Sequence, residues 1–291
     1  MTAFLFSMNQ IPTPCATCRE PLLGRYCVRC GEKRVSPGDH TVRRFLEQLV
    51  EGFTNADGKV FVTLRLLLTQ PGRLTADYLK GRRKPYIPAL QLFLITNLIF
   101  FLLHPLLGSN TLTTDLNTHL HYTWHAALAE SLVTPRLAAR GLTPEAYAAI
   151  FDPASVTQAK SLVILVVPIF SLAVMALYWR RRREYAAHLI FTLHFCAFWL
   201  LLACGTLALT NLTVRLLRVA SIFPSAVVVS RSILAFTLAV MAAYLFRAVR
   251  VVFAPEPTWV TATKALALSL ALDLSLQIYR FVLFFITFWS T

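Results

Sequence analysis

Five long stretches free of ionised side chains constrain this chain more than any other feature. Nothing charged lies between Lys84 and Asp115, and Pro88–Leu107 within that stretch is densely apolar. Ser161–Trp179 and Tyr185–Val214 carry no charge. Val219–Phe246 is interrupted only by Arg231, and Ala265–Thr291 only by Asp273 and Arg280. About 20 apolar residues cross the hydrocarbon core of a bilayer as a helix. The runs therefore predict five spans, near 88–107, 161–180, 186–210, 222–246 and 262–288. Strands of a membrane barrel would be short and alternating, so the expected fold class is mainly α, a polytopic helical membrane protein. Composition agrees. The chain is 56% apolar and 14% charged, where a soluble domain carries roughly 45–50% and about 25%. That excludes a single soluble domain and a disordered chain.

The basic residues sort by topology. Of 28 Lys and Arg, 14 fall in residues 1–87, four form the run Arg180, Arg181, Arg182 and Arg183, and Arg247 and Arg250 join spans four and five. The opposite loops hold only Arg136, Arg140, Lys160, Arg215 and Arg218. This is the positive-inside pattern for an odd number of spans. It predicts a cytoplasmic N-terminus and an outside C-terminus. It also accounts for the net charge of +14 without nucleic acid as a partner. Met1–Pro14 lacks the basic start and long apolar stretch of a signal peptide, so residues 1–87 are expected to stay on the side of synthesis.

Cys15-x2-Cys18 is followed after eight residues by Cys27-x2-Cys30-Gly31. Each pair can turn two thiolates toward one point, and four thiolates make a closed tetrahedral site for structural zinc. Disulfides suit an oxidising compartment, not the predicted cytoplasmic one. A redox CxxC would need a βαβ surround that is absent from the pattern. Iron in a four-cysteine site remains an alternative metal. A closed site leaves no open position for catalysis. Residues 1–39 are thus expected to form a small zinc ribbon whose folding energy comes mostly from the metal. Cys196 and Cys204 fall inside span three and read as packing thiols.

Residues 40–87 read as basic interfacial helices. Phe45, Leu46, Leu49, Val50 and Phe53 share one helical face, and Val60, Phe61, Leu64, Leu67 and Leu68 repeat the pattern before Pro71-Gly72 breaks it. Lys80, Arg82, Arg83 and Lys84, with the Arg180–Arg183 run, are candidate contacts for anionic headgroups or a partner. Packing of these helices on the spans is the alternative.

Within residues 88–291, ionisable groups in spans mark candidate sites. Asp273, Gln277 and Arg280 share one face of span five. With Arg231 in span four they predict a polar seam, with Asp273 pairing to Arg231 or Arg280. His188 and His194 do not share a face, and Asn97 reads as interhelical packing. The outer loop, about 108–160, holds His119, His121, Trp124 and His125. His121 and His125 share a face if that part is helical. Thr143-Pro144-Glu145 reads as a helix start and Asp152-Pro153 as a break. No nucleophile elbow, phosphate loop, HExxH helix or dinucleotide fingerprint occurs, so no catalytic residues are assigned.

The order of features resembles a known family. Cys15-x2-Cys18, Tyr26-Cys27-x2-Cys30-Gly31-Glu32-Lys33, Thr63–Leu68 leading into Pro71-Gly72, then Tyr78-x2-Gly81-Arg82-Arg83 and Tyr86-x-Pro88 look like a bacterial membrane-protein family catalogued as a domain of unknown function with an N-terminal zinc ribbon. The resemblance covers about residues 15–105 and implies a bacterial inner-membrane protein; it carries no activity. The first knuckle departs from the pattern, with Arg19 where Gly is expected. Two functions fit these readings. One is a non-enzymatic scaffold, adaptor or regulator that docks membrane lipid, a cytosolic protein or a second copy through its ribbon and basic surface. The other is a small transporter, channel or lipid-processing protein that uses the Asp273 seam.

Overall fold

The computed structural model describes residues 14–22, 24–34, 58–107, 112–181, 184–219, 225–253 and 256–291. The first amphipathic repeat, Phe45–Phe53, together with Arg182 and Arg183, lies outside the described residues. Ten α-helices follow in order: α1 Lys59–Thr69, α2 Arg73–Leu79, α3 Ala89–Leu107, α4 Leu116–His121, α5 Ala126–Arg140, α6 Pro144–Leu162, α7 Val166–Leu177, α8 Tyr185–Val219, α9 Ala226–Phe253 and α10 Thr258–Ser290. No strand occurs among the described residues, only isolated bridges in the cysteine region.

Four helical stretches are long and apolar enough to cross a membrane: Pro144–Leu177, Tyr185–Leu217, Arg231–Phe253 and Thr258–Ser290. The stretch expected as span one is the shorter apolar helix α3. Helices α8 and α10 have 35 and 33 residues, about 50 Å at 1.5 Å per residue. They therefore extend beyond a hydrocarbon core of about 30 Å.

The second span differs from expectation. It begins at Pro144, not near 161, and runs through the expected break at Asp152-Pro153. A 3₁₀ turn, Val163–Leu165, joins α6 to α7 without redirecting the chain. Pro153 removes only the hydrogen bond to the Ala149 carbonyl. Packing outweighs that loss, because Tyr147, Phe151, Ser155 and Ala159 are buried on one face of α6 and α6 lies along α10. Asp152 does not turn the chain either. Its Oδ1 accepts the Leu116 N–H at 2.8 Å and so caps a neighbouring segment.

The main core joins α1, α2, α3, α7, α8, α9 and α10. Most of α8 packs on α3 and α7, and α2 is wedged against α8 and α9. Thr63 and Leu67 of α1 and Leu74 and Tyr78 of α2 are buried there, while Phe61 and Leu68 face outward. Packing on the spans is thus what α1 and α2 do with their inner face. A second core at the far end holds Leu116, Ala129, Val133, Tyr147, Phe151, Phe284 and Phe288. It binds α4, α5 and the start of α6 to the end of α10 as a cap.

Candidate metal centre and its attachment to the helices

The two CxxC segments fold as a repeat with a twelve-residue offset. Cys15 N–H donates to the Glu20 carbonyl at 2.8 Å and Arg19 N–H to the Cys15 carbonyl at 3.0 Å. In the second copy, Cys27 N–H donates to Glu32 O at 2.8 Å and Gly31 N–H to Cys27 O at 2.8 Å. Bridges Pro14–Pro21 and Tyr26–Lys33 close the two loops. Both turns need a left-handed residue after the second cysteine. Gly31 supplies it with φ +70°, and Arg19 supplies it with φ +63°. The first knuckle thus keeps the geometry that its sequence put in question, at the steric cost of a side chain in that region, roughly 1–2 kcal/mol. Arg19→Gly should therefore tighten metal binding by about fivefold to thirtyfold in a competition titration with a chromogenic chelator. Unchanged or weaker binding would show that Arg19 is unstrained.

The four Sγ atoms lie within 4.8 Å of one another, with Cys15–Cys30 at 3.5 Å and Cys18–Cys27 at 3.4 Å. A tetrahedron with metal–sulfur bonds of about 2.3 Å has sulfur–sulfur edges near ~3.8 Å. A disulfide would need about 2.05 Å, and all four cysteines are free thiols. Backbone N–H groups of Cys30 and Arg29 draw the Cys27 thiol down to about 7. Burial, with the neighbouring thiols adding, pushes Cys30 up to about 12. Four thiolates in this space call for a cation between them, and the donor set fits a metal ion. Among the described residues this is the one such cluster of Cys, His, Asp and Glu.

Glu32 attaches the centre to the rest of the protein. It is buried, and its Oε2 accepts the Thr17 hydroxyl at 2.7 Å, the Arg83 N–H at 3.0 Å and the Lys84 N–H at 2.9 Å. One carboxylate thus joins both knuckles to the lead-in of α3. A Cβ at Gly31 would sit 3.6 Å from the Lys84 ammonium, so a cation from the membrane domain lies over the second knuckle. Four thiolates around a divalent ion carry a net double negative charge, which that ammonium complements. In the sequence Glu32 stands within the second cysteine motif with no role assigned to it. The repeat was the available signal, since Glu20 holds the matching place and pairs with Arg29 at the exposed surface, 3.4 Å away.

The lead-in is itself tightly built. Buried Asp77 accepts the Tyr86 hydroxyl at 2.8 Å and pairs with Arg73 Nε at 3.1 Å and Arg82 at 3.6 Å. Burial and the Asp77 carboxylate hold the Tyr86 phenol protonated. Ile87 N–H donates to Thr63 Oγ1 at 3.2 Å, and Thr75 Oγ1 meets His194 Nδ1 at 2.9 Å. Of the expected surface cations, Arg82 serves Asp77, and Arg83 lies 4.3 Å over the Tyr78 ring with its Nε donating to the Tyr78 carbonyl. Lys80, Lys84 and Arg180 are exposed. Only the backbone of Arg181 is described.

The expected seam is not brought together. No ion pair joins Asp273 to Arg231 or Arg280 among the described residues. Arg231 lies 22 residues before Phe253 and Arg280 22 residues after Thr258. The α9–α10 hairpin therefore sets two cations at one height, with Asp273 about 10 Å below them. Asp273 and Arg231 are exposed. Gln277 lines a cavity of about 530 Å³ with Tyr122, Trp124, Leu274 and Ile278. The expected face shared by His121 and His125 is also replaced: His121 is exposed, and the partner of His125 is His119. Cys196 and Cys204 are buried in the core, as packing thiols would be.

No curated protein and no solved structure matches the chain. Residues 57–101, the segment that carries the lead-in from α1 into α3, are similar to the family described as a protein of unknown function (DUF3667).

Proposed function

We propose that this is a non-enzymatic integral protein of a bacterial inner membrane, with the N-terminus in the cytoplasm and structural zinc in the four-cysteine site. Its knuckle and basic lead-in dock anionic lipid headgroups and so anchor a scaffold or regulator at the cytoplasmic leaflet. The Glu32 attachment carries this reading. By tying the knuckle to the Arg83 and Lys84 backbone it fastens the segment that carries exposed Arg25 and Arg29 to the lead-in that carries exposed Lys80 and Lys84. A knuckle fastened there supports a surface working at the membrane. Near anionic lipid each basic side chain adds about 1 kcal/mol, roughly fivefold in affinity.

The test uses the full chain in nanodiscs of mixed phosphatidylglycerol and phosphatidylethanolamine. Lipids retained on release into the mass spectrometer are counted. The wild type should retain phosphatidylglycerol preferentially. Lys80→Glu with Lys84→Glu should lose that preference, and Glu32→Ala should reduce it while the helices stay folded. Equal retention by all three proteins would reject headgroup docking and leave a protein partner as the occupant to seek.

A further inference from the structure

The cap at the far end contains a pair of imidazoles that the metal centre does not involve. His119 is completely buried and His125 nearly so. His119 Nδ1 lies 3.1 Å from His125 Nε2. Aromatic rings enclose the pair: Phe284 and Phe151 at 5.1 and 5.9 Å from the His119 centroid, and Phe281 and Trp124 each at 5.3 Å from that of His125. The outward nitrogens, His119 Nε2 and His125 Nδ1, are buried with no hydrogen-bond partner in the protein.

Two neutral imidazoles can share one hydrogen bond, a donor facing a lone pair. Protonation of one ring keeps that hydrogen bond, now from an imidazolium to the lone pair of the neutral ring, but leaves a cation in an apolar enclosure with an outward N–H that has no acceptor; protonation of both rings sets two N–H groups face to face. We propose that His119 and His125 form an acid-sensitive latch that holds α4 and the start of α5 onto the end of α10. The opposite end of α5 is fastened separately. Arg136 lies 3.6 Å over the Phe288 ring and donates to its carbonyl, and Arg140 donates to the Thr291 carbonyl at 2.7 Å. The histidine end is therefore the one that lifts. It takes Trp124 off Phe281, on which it stacks at 5.1 Å, and widens the open groove beside Gln277 that Trp124 lines.

The charged groups around the pair come from each packed element. Asp115 caps α4 and favours the imidazolium, Arg280 on α10 opposes it, and Asp152 on α6 is engaged by the Leu116 N–H. On α5, Arg136 is turned to Phe288, and on α4 His121 points outward. Burial dominates, and with His125 and Arg280 it holds His119 down at about 3; burial lowers His125 as well. The sign follows. A base whose closed-state value lies below its ordinary 6.5 keeps the cap closed above that pH. Closure is lost as pH falls toward the closed-state value, because the open state takes up the proton.

Hydrogen exchange of the full chain in nanodiscs, corrected for intrinsic rates, tests this. Between pH 7.5 and pH 5.0, opening of residues 112–126 should rise about thirtyfold for His119 alone, while residues 265–275 stay unchanged. The double variant His119→Gln/His125→Gln, with neutral amides, should abolish the rise. His119→Phe, which fills the same space without titrating, should reduce it strongly. Wild-type opening that changes less than threefold over this range would overturn the latch. So would a double variant that opens as the wild type does, which would place the titration on Asp115 or Asp152.

Discussion

Removing the metal, by chelation or by Cys15→Ser with Cys27→Ser, should unfold residues 14–34 and leave the helices standing. The knuckle has almost no apolar core of its own. Among the described residues, Leu22 and the cysteines are the whole of its buried cluster. Structural zinc in such peptides contributes about 10–16 kcal/mol at neutral pH, far more than Leu22 and two bridges can supply. The main core, by contrast, contains none of the described knuckle residues. Exchange of residues 14–34 should therefore rise to near the unprotected rate, and the Arg83 and Lys84 amides should lose protection with it, since Glu32 is their acceptor. Helix content should hardly change. A stripped protein that keeps its knuckle protected would show that Glu32 and Thr17, not the metal, hold it.

The second large effect is expected at Gly72. It starts α2 with φ +80°, and a Cβ there would stand 2.6 Å from the Ala248 carbonyl oxygen and 2.8 Å from its Cα. Both neighbours are backbone of α9 and cannot rotate away. Gly72→Ala should cost about 3–5 kcal/mol, from left-handed strain plus the displacement of α2. Gly141 separates the two contributions. It has φ +62° with open space around it, so Gly141→Ala should cost only about 1–2 kcal/mol. The comparison is read from denaturant unfolding in detergent. Equal losses at the two positions would mean that α2 and α9 are not in close contact.

Legibility in the sequence followed the range of the interactions. Helices α3, α8, α9 and α10 were readable because each contains a long apolar run with few ionised residues. The helix start at Thr143-Pro144 was readable, but its continuation into the second span was not, because Asp152, Pro153 and Lys160 interrupt the apolar pattern; the helix runs through them packed along α10. The four cysteines were readable because ligand spacing is local. Glu32 was not, since its partners Arg83 and Lys84 lie 51 and 52 residues away. That Asp273, Gln277 and Arg280 share a face follows from helical period alone. Whether Arg231 reaches Asp273 depends on the height at which the α9–α10 hairpin closes.

The sequence by itself determined that this chain is a helical membrane protein with a four-cysteine metal-binding motif, because apolar run length and ligand spacing act over a few turns of chain. Only the tertiary structure decided what each polar group does. It turned Arg82 and Arg83 inward to Asp77 and Tyr78, fastened the knuckle to the first apolar helix through Glu32, left Asp273 without Arg231, and paired His125 with His119 instead of His121. A buried polar group must find a partner or lose free energy on desolvation, and the partner that packing brings within 3 Å need not be near in the chain.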